Sequence, residues 1–105
     1  MQSKDADWLL EALRAVANQR RLEILQWLSD PVAHFPPQEH GDLVEHGACN
    51  VHITERLAIS QPAASRHLKC LVDAELVCAT SRKGWTYFRR NEPALDRLAE
   101  LLGNL

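Results

Sequence analysis

Ser60-Gln61-Pro62-Ala63-Ala64-Ser65-Arg66-His67-Leu68-Lys69-Cys70-Leu71 reads as a capped helix with one apolar stripe and one basic, hydrogen-bonding face. Ser60 offers an N-cap oxygen, and Pro62 falls in the first turn, where helix amides have no intrahelical acceptor and a missing N–H costs nothing. At about 100° per residue, Ala64, Leu68 and Leu71 share a narrow arc that turns inward, while Arg66, Lys69 and Pro62 take the opposite side. Gln61 and Ser65 lie on the flanks near the N-terminal end, the end that meets base edges when a helix enters a major groove. Gln pairs bidentately with adenine and Arg with guanine, whereas Ser, Lys and His more often hold phosphates. Ser60, Gln61, Ser65, Arg66, His67 and Lys69 are therefore the candidate DNA contacts of this helix. An ordinary amphipathic surface helix has the same outline, so the flanking elements decide between the two.

Upstream, Val51-His52-Ile53-Thr54-Glu55-Arg56-Leu57-Ala58-Ile59 places Ile53 and Leu57 on one face, and a break of about three residues leads into the next helix, which is a helix-turn-helix arrangement. Downstream, Leu76-Val77-Cys78-Ala79-Thr80 and Trp85-Thr86-Tyr87-Phe88-Arg89 read as two strands joined by Ser81-Arg82-Lys83-Gly84. Gly84 supplies the positive φ of a tight hairpin, and Arg82 and Lys83 crown its tip as further DNA contacts. A helix-turn-helix followed at once by a basic-tipped hairpin is far more specific than either piece alone.

This order of elements, with Ser-Gln-Pro-Ala-Ala-Ser-Arg-His-Leu-Lys at residues 60–69, resembles the ArsR (ArsR/SmtB) family of winged-helix transcriptional repressors. Ala15-Val16-Ala17-Asn18-Gln19-Arg20-Arg21-Leu22-Glu23-Ile24-Leu25 is similar to the second-helix signature of that family, and Gly84-Trp85-Thr86-Tyr87-Phe88-Arg89 to its wing. The likeness covers nearly the whole chain. Only the segment from about Pro31 to Ala48 falls outside the common pattern, although some members carry a comparable His-Phe-Pro-Pro-Gln insertion, here at residues 34–38. The resemblance implies a mainly α fold with a β-hairpin wing, in the order ααααββα. One domain then spans 1–105, with an extended loop at 31–48, the helix-turn-helix at 52–72, the wing at 76–90 and a C-terminal dimerisation helix at 92–104.

At 105 residues and 46% hydrophobic content the chain makes one small core that benefits from burial at an oligomer interface. Near the start, Leu9, Ala12, Leu13 and Val16 recur at helical spacing beside Trp8. Near the end, Asn91 caps a helix begun by Pro93, along which Leu95, Leu98, Leu102 and Leu105 form a seam. Both stripes can complete a monomer core; the family resemblance implies instead that the first and last helices pair across a twofold axis, with Leu9, Leu13, Leu95, Leu98 and Leu102 as the dimerisation set. Two recognition helices then face successive major grooves of a double-stranded, imperfectly palindromic operator.

The net charge of −2 conceals a strong polarity. Residues 61–90 hold six basic and two acidic side chains, a surplus of +4, and the remainder carries −6. A basic face on an otherwise acidic body suits phosphate neutralisation without indiscriminate sticking. No apolar run approaches the length of a membrane span and the N-terminus lacks the pattern of a secretory leader, so a cytoplasmic protein without a membrane partner is expected. Three cysteines point to reduced thiols.

The segment 31–48 reads as a long loop: Pro31 stops the preceding helix, Pro36-Pro37 favours extended backbone, and Gly41 and Gly47 punctuate it. Loops of that length in compact domains are functional or disordered, and Phe35, Leu43 and Val44 are available to pin this one down. His34, His40, His46 and His52 fall at six-residue intervals, with Cys49 between the last two. Cys49 and His52, one helical turn apart, can chelate a transition metal such as zinc, nickel or copper with help from His46. The metal-sensing members of the family carry a Cys-x-Cys pair where this chain has Cys49-Asn50-Val51 and an Asp where it has His52. They also place a histidine beside the acidic residues of the last helix, and Asp96 and Glu100 lack one. A thiol switch at Cys49, near a helix N-terminus, is the second sensing option, with Cys70 and Cys78 read as structural. Cys49 and His52 also raise an enzymatic nucleophile–base pair, but no third orienting group or oxyanion loop accompanies them. Two readings follow. One is a homodimeric DNA-binding repressor released by thiol oxidation, a metal or another signal; the other is a winged-helix module for protein interaction or metal buffering.

Overall fold

Apolar residues spaced by three and four along most of the chain dictate helices, and the computed structural model, which describes residues 1–105, contains six of them with three strands. In chain order these are α1 (Ser3–Val16), α2 (Gln19–Ser29), α3 (Pro31–His34), β1 (Ala48–Cys49), α4 (Asn50–Leu57), α5 (Gln61–Asp73), β2 (Val77–Arg82), β3 (Trp85–Arg90) and α6 (Glu92–Gly103). The order ααααββα is thus corrected by two short additions. Pro31 both ends α2 and begins α3, because its fixed φ suits a first helical position. β1 is too short to show any alternation in sequence and exists only through its partner, β3.

The antiparallel sheet runs β1-β3-β2, with Ala48 opposite Phe88, Cys49 opposite Tyr87, and Arg82 opposite Trp85. Lys83 (φ 53°) and Gly84 (φ 81°) alone make the hairpin turn, a pair of left-handed residues whose twist matches that of the strands. Ser81 and Arg82 therefore belong to β2 and not to the turn. Pairing places Ala48, Val77 and Phe88 on one face, within a core that also holds Leu9, Ile24, Ile53, Leu68, Leu71, Leu76 and Leu98. Cys49, Trp85 and Tyr87 occupy the other face.

That second face explains the long segment before β1. Gln38 lies at its centre: Nε2 donates to the carbonyls of Gly41 (3.1 Å) and Gly47 (3.0 Å), and Oε1 accepts from the Cys49 N–H (2.7 Å). The Asp42 carboxylate accepts from the amides of Val44 and Glu45, closing a turn, and Gly41 approaches the Tyr87 ring so closely that a Cβ there would sit 2.5 Å from Cε1. The segment is an ordered cover on the sheet.

Leu9 and Leu98 are 5% and 8% exposed, so the single chain already buries two of the residues expected at a dimer seam. Leu13 and Leu95 are half-buried against the same core. α1 and α6 are tied together in the monomer by the Arg97–Asp5 ion pair, with the Arg97 guanidinium 5.1 Å from the centre of the Trp8 ring. What remains open along the terminal helices is Leu10 (50%), Leu102 (40%) and Leu105.

Candidate nucleic-acid interface

Ser60 caps α5 as its sequence requires, its hydroxyl accepting from the Ala63 N–H at 3.3 Å. The turn from α4 into α5 passes through Ala58 in left-handed conformation (φ 56°), its N–H bonded to the carbonyls of Thr54 and Glu55. The helix-turn-helix spans 50–73, slightly wider than the expected 52–72. Ile53 of α4 and Ala64, Leu68 and Leu71 of α5 are buried together, which sets the rotation of α5. Gln61, Ser65 and Arg66 consequently face outward, exposed and without a hydrogen-bond or ion-pair partner in the chain.

Three expected contacts are placed differently. His67 follows the inward arc: half-buried, its Nδ1 accepts from Arg21 Nη1 at 3.3 Å. Burial holds its pKa below 6.5, reinforced by the positive charges of Arg21, Arg20 and Arg66. Through Nδ1 the His67 imidazole joins α5 to Arg21 of α2. Lys69 is exposed and forms a 2.7 Å pair with Asp73 one turn on, whose hydrogen bond and negative charge raise its pKa. Arg82 donates from Nε to the His40 carbonyl at 3.1 Å and so fastens the cover segment to the wing, leaving Lys83 as the residue at the tip.

Arg20 and Arg21 matter more than their place in a helix signature suggested. Arg21 donates to the carbonyls of Ala15 (2.6 Å) and Arg14, satisfying the end of α1, while Arg20 stays exposed and adds its charge near His67. The doublet Arg20-Arg21, just after the Asn18 cap that accepts from Arg21 N–H, is the signal that marks them.

Of the sensing residues, His46 stands apart from Cys49 and His52. His46 Nδ1 accepts from the Asp42 N–H at 2.8 Å and its ring stands beside Tyr87, so it closes the Asp42 turn and joins neither Cys49 nor His52. No three His, Cys, Asp or Glu side chains gather into a set able to hold a metal ion, so the donor set does not fit a metal centre. Cys49 does sit at the N-terminus of α4, yet it is 6% exposed and its thiol donates to Asn50 Oδ1 at 3.4 Å; reactive thiols are usually more open. Cys70 and Cys78 are half-buried, and all three thiols are free. No helix is long and apolar enough to cross a membrane.

Residues 43–78 match the family model described as bacterial regulatory protein, arsR family. The HTH-type transcriptional regulator YbzH of Bacillus subtilis (strain 168) is 40% identical over 93 residues, covering 89% of this chain and 93% of YbzH. Among solved structures, HlyU from Vibrio cholerae N16961 superimposes with a TM-score of 0.65 at 26% identity, over 98% of this chain and 96% of that one. The homodimeric winged helix-turn-helix DNA-binding domain of a Mycobacterium bovis regulator gives 0.67 at 23% identity, over 97% and 84%.

Proposed function

The chain belongs to the ArsR family of bacterial helix-turn-helix transcriptional regulators, and on that footing we propose that it is a cytoplasmic, homodimeric repressor of a palindromic operator. It is a DNA-binding regulator and not an enzyme. The observation that carries the finer reading is the outer face of α5, where Gln61, Ser65 and Arg66 stand exposed with nothing in the chain to satisfy them. Arg66 and Gln61 read base edges, Ser60 and Ser65 hold phosphates, Lys69 contributes a charge tempered by Asp73, and Lys83 at the wing tip reaches the flanking backbone. Leu10 and Leu102, with the half-buried Leu13 and Leu95, supply the apolar surface on which a second copy seats, spacing the two α5 helices by one turn of duplex, about 34–36 Å.

The test is selection of a preferred duplex from random sequence, followed by anisotropy titrations over a range of salt. Arg66→Ala is expected to weaken the selected site by about 1–3 kcal/mol and relax preference at one base pair. Lys83→Ala is expected to weaken all duplexes alike and to reduce the salt slope by about one. A Gln61→Ala, Arg66→Ala double variant with undiminished affinity and preference would overturn the assignment of this face.

A further inference from the structure

Where the cover segment, the wing and α4 meet, a cleft of about 280 Å³ opens on the sheet face that the core does not use. Its walls include Trp85 and Tyr87 of β3 and Val51 of α4, with Cys49 and His52 lining it from β1 and α4. Trp85 and Tyr87 are two residues apart on one strand, so they leave the same face about 7 Å from one another. Tyr87 is 2% exposed beneath the cover, so Trp85 is the ring left open to an occupant. Gly41 of the cover lies against the Tyr87 ring, whereas Trp85 is 45% exposed and leaves its indole open to the cleft.

The polar groups of the cleft narrow the ligand further. His52 Nδ1 is buried and has no hydrogen-bond partner, the only side-chain nitrogen or oxygen in the chain so placed. No arginine or lysine lines the walls, and the one carboxylate, Glu39, is 91% exposed and 3.7 Å from His40 at the rim, so neither an anion nor a cation finds a buried counter-charge. We infer that this cleft binds a small, uncharged, planar aromatic molecule carrying one O–H or N–H donor, stacked against the open Trp85 ring and donating to His52 Nδ1 as that ring turns to meet it, and that its occupancy changes operator affinity. The second half rests on the DNA-binding reading above. Its physical basis is that the cleft touches both the wing and α4, whose Ala58 turn carries α5, so an occupant that displaces either wall moves the elements that meet the duplex.

Indole and phenol are the probes, observed directly by saturation-transfer NMR and calorimetry on the intact protein, with 1-benzofuran as the indole isostere that lacks the donor. Wild type is expected to prefer indole over 1-benzofuran about tenfold, since a buried nitrogen gains its missing hydrogen bond, and His52→Leu is expected to erase that preference. Trp85→Ala, a change at a half-open position that leaves the core intact, weakens both about fivefold or more. Val51→Trp fills the cleft and abolishes binding, with circular dichroism reporting that the fold persists. Saturating indole is then expected to shift affinity for the selected duplex at least tenfold. Absence of saturable binding by both indole and phenol, or binding indifferent to all three variants, overturns the site. Binding with no change at the duplex overturns the regulatory half, and a chain that ignores every duplex while binding indole overturns the DNA-binding proposal and leaves the site standing.

Discussion

Replacing Gln38 with Ala removes three hydrogen bonds made by one side chain, and the structure says what each removal leaves behind. The Gly41 carbonyl lies in a half-open stretch and can turn to water, so its loss costs little. Gly47 and Cys49 are buried, and there the carbonyl of one and the amide of the other lose the partners they have at 3.0 and 2.7 Å. Leaving a buried backbone donor or acceptor unsatisfied costs about 1–3 kcal/mol each, so Gln38→Ala is expected to cost about 2–6 kcal/mol. That is a large share of the stability of any domain of this size. Urea unfolding at neutral pH measures it, with a fall in thermal midpoint of about 10 °C or more. Gln38→Glu keeps the acceptor for Cys49 N–H but turns an anion toward two carbonyl oxygens, so it is expected to be no better than Ala. Native-state alkylation supplies the local readout: detaching the cover exposes Cys49, which should react faster in Gln38→Ala relative to Cys70 and Cys78. A loss below about 0.5 kcal/mol with unaltered Cys49 labelling would show that Gln38 does not hold the segment.

Gly47→Ala is expected to cost more than about 3 kcal/mol in the same urea assay, because φ is +100° and the new Cβ would lie 1.9 Å from the Phe88 carbonyl oxygen, breaking the β1–β3 pairing; Gly103→Ala, with open space around it in α6, is the neutral or stabilising control. Leu10→Glu and Leu102→Glu, at positions the monomer leaves exposed, are expected to shift sedimentation toward the monomer while the thermal midpoint of the isolated fold changes little; a dimer that survives both would relocate the interface. The folded state binds a proton at His67 less readily than the unfolded chain does, so stability is full above the unfolded pKa of 6.5 and declines as pH falls below it, levelling off beneath the folded value. His67→Gln should flatten that decline between pH 7.5 and 5.5 in urea melts, and an unchanged slope would count against the neutral-imidazole pairing with Arg21.

The features legible in the sequence are those whose physics is local. A cap at Ser60, a proline in the first turn and an apolar arc through Ala64, Leu68 and Leu71 are written within one helix, and the structure returns them at the same residues. The same is true of Gly84, whose positive φ is a property of the turn itself. Periodicity shows that Leu9 and Leu98 are turned to one side but not what lies on that side, and the core claims both. Of the three basic-face residues that changed role, His67 and Arg82 did so through partners invisible to any local pattern. Arg21 is 46 positions from His67 and the His40 carbonyl 42 from Arg82. Lys69 is the exception, since Asp73 four residues on is a helical neighbour that the sequence does display. β1 lay beyond reach for a different reason: two residues carry no period, and their strand character comes from Phe88, Tyr87 and Gln38.

The cover segment also resolves a mechanical difficulty in using a hairpin as a DNA-reading arm. A two-stranded ribbon is marginal in water by itself, and its tip wanders relative to the helix it is meant to assist. Here β1 adds a third strand, one face of β3 enters the core through Phe88, and the other is covered at Tyr87, so both sides of the wing's root are held before the turn at Lys83 and Gly84 projects. The Arg82–His40 bond extends that hold to the last residue of β2. The position of Lys83 relative to Arg66 is therefore determined through residues 38–49 as much as through α5. A perturbation of the cover should change phosphate contacts at the wing, seen as a lower salt slope, while leaving base preference at α5 intact. Loss of both together would mean that the wing and the recognition helix move as one body and that the cover steers neither independently.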